Sequence, residues 1–80
     1  MQHTRSPARL SGTVTVVQER RFQLVDEGGV AHLFLLAVDA PVDLRALHDL
    51  AHSGERVSVS YHEAGSGLVA YTATNVEANR

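Results

Sequence analysis

Eighty residues without a cysteine make one small domain that no disulfide staples and in which no thiol serves as nucleophile or metal ligand. A net charge of -2 argues against a dedicated binder of nucleic-acid backbone, which carries a basic excess. No apolar run approaches the ~20 residues of a membrane-spanning helix. The polar start MQHTRSPARLSG lacks the apolar core of a secretory signal, so a soluble, cytoplasmic protein without membrane contact is expected.

Residues 1–9 carry Arg5, Pro7 and Arg9 with no periodicity and are expected as a mobile tail. From Leu10 the pattern changes. GTVTVV (12–17) alternates and is rich in β-branched residues, which marks a first strand. RFQLVD (21–26) alternates again, with Phe22 and Leu24 on one face and Arg21, Gln23 and Val25 on the other. DEGG (26–29) supplies glycines for a tight turn, and VAHLFLLAV (30–38) is the third strand.

The period then switches from two to helical across DAPVDLRALHDLAHSG (39–54). Asp43 is the expected N-cap, because its carboxylate can accept from an orphan amide of the first turn. Val42 and Leu47 have the spacing of a hydrophobic staple, and Leu44, Leu47, Leu50 and Ala51 form one apolar stripe. Gly54 ends the helix. ERVSVSYH (55–62) alternates cleanly, with Val57, Val59 and Tyr61 on one side. EAGSG (63–67) is a hairpin loop, LVAYTATNV (68–76) the last strand, and residues 78–80 a C-terminal tail.

Three strands, a helix and two strands over residues 10–77 predict an all-β fold: a five-stranded Greek-key barrel of OB-fold type, with its helix between strands 3 and 4. The segments SGTVTVV, RFQLVDEGG, HLFLLA, ERVSVSY and AYTATNVE resemble small bacterial single-domain OB-fold proteins. Those open on a G-x-V strand, continue with an F-x-L strand ending in Asp and Gly, and close on a V-x-V-x-Y hairpin. The resemblance spans residues 11–77 and implies architecture rather than activity.

His32 to Ala37 is apolar almost without a break, and its partner across the turn decides which residues face out. A two-residue loop centred on Glu27-Gly28 or Gly28-Gly29 puts Leu33 and Leu35 inside with Phe22 and Leu24. Arg21, Gln23, His32, Phe34 and Leu36 then point outward. A three-residue loop or a bulge reverses the third strand.

OB-folds bind oligonucleotides or oligosaccharides over strands 2 and 3, between the loops that here comprise Gln18–Arg20 and Glu63–Gly67. The expected binding face is therefore Arg20, Arg21, Gln23, His32 and Phe34, and the expected protein is a non-enzymatic binding module. A protein partner or a homodimer through Phe34, Leu36, Val25 and Val30 leads among the ligands. The alternatives are weak single-stranded nucleic acid binding, with a base stacked on Phe34 or His32 and phosphates met by Arg20 and Arg21, and plain packing, in which strand curvature buries Phe34 in the core or under the N-terminal tail. Glu19, Asp26, Glu27 and Glu63 in the flanking loops oppose nucleic acid.

Other constellations are thin. His48 and His52 share one side of the helix, but the metalloprotease pattern needs glutamate directly after the first histidine and Asp49 stands there, so no native metal site is expected. There is no G-x-S-x-G elbow, and GSG (65–67) precedes no helix, so neither catalysis nor a cofactor is expected.

Overall fold

A computed structural model describes residues 8–62 and 71–79 of the chain. Its elements in chain order are β1 (Ala8–Gln18), β2 (Arg21–Asp26), β3 (Ala31–Leu36), α1 (Leu44–Ser53), β4 (Arg56–His62) and β5 (Tyr71–Ala78). The strands close into a barrel in the order β1-β2-β3-β5-β4, with β3 and β5 parallel and the other neighbours antiparallel. This is the expected all-β, OB-fold-like barrel with one helix between strands 3 and 4.

β1 makes closure possible because it pairs on both edges. Its first half lies along β4 and its second half along β2, and Gly12 and Thr13 pair on both sides. The β1 and β2 backbones come so close at Gly12 that a Cβ there would overlap the Val25 carbonyl oxygen and lie 2.9 Å from its carbon. Only glycine permits that approach. β1 begins at Ala8, so Ala8 and Arg9, expected in the tail, pair with Tyr61 and Ser60 of β4. The rest of that tail, the Glu63–Gly67 loop and the expected start of the last strand lie outside the described residues.

Two bulges adjust the alternation. Between Val14 and Val16 the β1 register slips against β2, leaving Thr15 as the extra residue. The slip sends Val14 inward, Val16 outward and Val17 back toward the core. In β5 the extra residue is Thr74, whose hydroxyl donates to the Ser60 carbonyl at 3.2 Å.

α1 forms as its end signals predict. The Asp43 carboxylate accepts from the Ala46 amide at 2.9 Å, a cap worth ~1 kcal/mol, and Gly54 closes the helix in the left-handed conformation at φ 72°. Leu47 is fully buried, while Val42, Leu44, Leu50 and Ala51 pack half-buried beside it. Inside the barrel, Val14, Leu24, Leu36, Val57, Val59 and Val76 surround an aromatic cluster. Phe34 is its hub: it stacks on Phe22 at 5.3 Å between centroids, meets the edge of Tyr61 at 5.2 Å and lies 6.1 Å from Tyr71. A barrel this small is filled by its own side chains.

Candidate binding face

The turn between β2 and β3 decides what the barrel shows to solvent. The Asp26 amide donates to the Val30 carbonyl at 2.9 Å, and the Gly29 amide donates back to the Asp26 carbonyl at 2.9 Å. That leaves Glu27, Gly28 and Gly29 as a three-residue loop. Gly29 takes the left-handed conformation, φ 86°, that such a loop requires at its last position. Asp26 templates the turn, because its Oδ1 accepts from the amides of Gly28 at 2.9 Å and Val30 at 3.0 Å. Its Oδ2 lies 2.8 Å from His32 Nε2. The His32 ring above all, then the Val30 and Gly28 amides, hold the Asp26 carboxyl below its ordinary value against a partial opposing effect of burial.

The pairs across this hairpin are Arg21 with Leu35, Phe22 with Phe34, Gln23 with Leu33, and Leu24 with His32. The two-residue loop expected above is therefore replaced by a three-residue one, and β3 is reversed. Phe34 and Leu36, expected outside, are 0% and 1% exposed. Leu33 and Leu35, expected in the core, are 48% and 43% exposed.

The outward side chains form rows across three strands. One row is Val16, Gln23 and Leu33; the next is Gln18, Arg21 and Leu35, continuing to Thr72 of β5; on the other side lie Thr13, Val25 and Ala31. Val16 is 53% exposed and stands across Gln23 from Leu33, which lies beside Leu35 on β3, so the face carries three exposed apolar side chains interrupted by the Gln23 amide. Thr15 donates from Oγ1 to Gln23 Oε1 at 3.0 Å and fixes that amide over the sheet. A shallow depression of about 180 Å³ opens here, lined by Val16, Gln18, Arg21, Phe22, Gln23 and Leu33.

Of the residues expected on this face, Arg21 and Gln23 lie on it together. Arg20 does not join them freely. Its Nε donates to the Leu36 carbonyl at 3.2 Å and Nη2 to the Ala37 carbonyl at 3.0 Å, which ties the β1–β2 turn to the end of β3. His32 belongs to the inward row with Leu24, at the barrel end, and is occupied by Asp26. Phe34 is core. The residues sequence reasoning missed, Val16, Leu33 and Leu35, became outward through the β1 bulge and the turn length.

No ring stacks on this face: among the described aromatics, Phe22 and Phe34 are buried, and Tyr61 and Tyr71 pack against one another 5.0 Å apart beside the core. Arg21 is the one charge among the residues that line the depression. Its guanidinium has no hydrogen-bond or ion-pair partner among the described residues. The described ion pairs lie at the opposite end of the hairpin, where Arg56 meets Glu27 and His32 meets Asp26. A second shallow depression of about 330 Å³ sits at that end, lined by Gly12, Thr13, Val25, Asp26, Glu27 and Arg56.

Elsewhere, His48 and His52 are exposed on α1. Among the described residues no three His, Asp or Glu side chains gather closely enough to hold a metal ion. No helix among them is long and apolar enough to cross a membrane. The Asp26–His32 pair has the form of an oriented imidazole, yet among the described residues no hydroxyl hydrogen-bonds to the ring. Compared with protein-family models, curated proteins and solved structures, the chain finds no match.

Proposed function

We propose that the protein is a non-enzymatic binding module that holds a protein partner against the outer face of β1, β2 and β3. The observation that carries this is the set of three large apolar side chains, Val16, Leu33 and Leu35, each about half exposed on the outer side of a sheet whose inner side holds the buried Val14, Phe22, Leu24, Phe34 and Leu36. Interface cores are apolar, depleted in charge and enriched in arginine, and a face of Val16, Leu33 and Leu35 interleaved with Gln23 and flanked by Gln18 and Arg21 has that composition. An exposed apolar patch costs solubility unless something covers it. Single-stranded nucleic acid is the less supported ligand, since binders of that class stack bases on rings in a cationic groove. Among the described residues the face offers one unpaired arginine, Arg21, and its one aromatic residue, Phe22, is only 1% exposed.

The test is site-specific photo-cross-linking in the producing cell. A photoreactive residue in place of Gln18 reports on the face, and one in place of Arg45 on α1 serves as control. Discrete protein adducts from position 18 alone support the proposal. Adducts to nucleic acid, or equal adducts from both positions, overturn it.

A further inference from the structure

The depression on the outer face is small, open and asymmetric in charge, and these properties together restrict its occupant. At about 180 Å³ it falls below the ~300–1,000 Å³ of sites for drug-sized ligands. It has room for one large side chain. Val16 and Leu33 supply apolar lining, so the group it accepts is apolar. The rest of the lining is the buried Phe22, the polar Gln18 and Gln23, and the cationic Arg21. Arg21 is exposed and carries a fork of donors that no described side chain fills.

We infer that the depression receives one large apolar side chain of an extended, acidic segment of a partner protein, and that a carboxylate beside that side chain pairs with Arg21. The inference rests on the partner-contact proposal above and gives its partner a chemistry. Charge complementarity selects this occupant over a second copy of the chain. The lining holds a cation and no carboxylate, so two copies meeting through it would bring no anion of the lining to either guanidinium. Glu19, the nearest acidic residue in sequence, sits in the β1–β2 turn outside the lining. A foreign acidic segment supplies the missing anion. Bidentate geometry between guanidinium and carboxylate would also fix the direction in which that segment crosses β2.

The test is selection of random displayed peptides against the intact protein, repeated with Arg21→Glu and with Arg21→Gln. Arg21 projects outward, so the fold tolerates either change, and a dispersed amide spectrum checks this. The expected winners carry a large apolar residue next to Asp or Glu. A synthesised winner should shift the amides of Val16, Gln18, Arg21, Gln23 and Leu33. Arg21→Glu should weaken it by about fivefold to tenfold and turn a fresh selection toward Lys or Arg flanks. Arg21→Gln should abolish the flank preference. Winners without acidic flanks, winners unaffected by Arg21→Glu, shifts at other residues, or no enrichment each overturn the inference. The cross-linking result separates the two levels. If position 18 captures a protein while selection fails, the acidic-segment inference falls and the contact proposal stands. If it captures a second copy of the chain, the inference likewise falls. If neither experiment gives a signal, both fall.

Discussion

Phe22 and Phe34 face each other across β2 and β3, with stacked rings whose centroids lie 5.3 Å apart. Because side chains alternate along a strand, that one pairing sends Leu33 and Leu35 to the opposite side of the sheet. The aromatic core and the exposed Leu33 and Leu35 are thus two consequences of a single register.

That register predicts opposite costs for neighbouring residues. Phe34→Ala removes the hub of the aromatic cluster and should cost ~3–5 kcal/mol, enough to unfold much of a domain this small. Leu33→Ser and Leu35→Ser replace exposed side chains and should stay within about 0.5 kcal/mol of the parent. Urea denaturation of the three variants checks the ordering; a costly Leu33→Ser beside a mild Phe34→Ala would contradict it.

The turn that sets the register depends on one glycine. Gly29 has φ 86°, where a Cβ costs ~1–2 kcal/mol. Gly29→Ala should therefore lower the melting temperature by roughly 4–8 °C or more. Gly28→Ala is the control, because its Cβ would meet nothing closer than Asp26 Oδ1 at 3.5 Å. Equal melting temperatures for the two variants would argue against the three-residue loop.

Barrel closure depends on another. Gly12→Ala drives a methyl group into the β2 backbone at Val25, which cannot swing aside as a side-chain tip can. The expected cost is about 3 kcal/mol, since overpacking here is relieved only by separating β1 from β2. A thermal melt of Gly12→Ala within a degree or two of the parent would show that the strands do not approach this closely.

Asp26 gives the hairpin a pH dependence of definite sign. Its carboxyl is held below its ordinary value, first by the His32 ring and then by the Val30 amide. The group's contribution is complete above its unfolded value of ~3.9 and is lost as the pH falls through the lower folded value. Asp26→Asn keeps an oxygen for the Gly28 and Val30 amides but does not titrate there. The parent's urea midpoint should therefore fall more steeply than that of Asp26→Asn between about pH 5 and about pH 3. Parallel profiles would remove Asp26 from the acid response.

Much of the architecture is legible in the residues because each local signal agrees with the fold. Asp43, the Val42–Leu47 spacing and Gly54 place α1 to the residue, and the alternation of Val57, Val59 and Tyr61 places β4 and its buried side. The outward face is not legible in the same way. Leu33, Phe34, Leu35 and Leu36 are all apolar, so hydrophobicity does not say which pair is inside. The decision passes to the length of the loop in DEGG, where one residue more or fewer inverts the strand. The available signal was the second glycine, since a left-handed residue at the end of a three-residue loop calls for it. Thr15 has the same effect on a smaller scale: Val14, Val16 and Val17 are equally β-branched, and only the bulge separates the buried from the exposed.

The most direct measurement is a two-dimensional NOE spectrum of the Hα region. The bonds from the Asp26 amide to Val30 and from the Leu36 amide to Arg20 place Gln23–Leu33 and Arg21–Leu35 at non-hydrogen-bonded positions. At such positions opposed Cα atoms approach to ~4.5 Å and their Hα protons give strong cross-peaks. Cross-peaks between Gln23 and Leu33 and between Arg21 and Leu35 are predicted. Cross-strand contacts that place Leu33 opposite Phe22 or Leu24 instead would turn Leu33 and Leu35 inward and Phe34 outward, and the set of exposed apolar side chains on which the binding face rests would not exist.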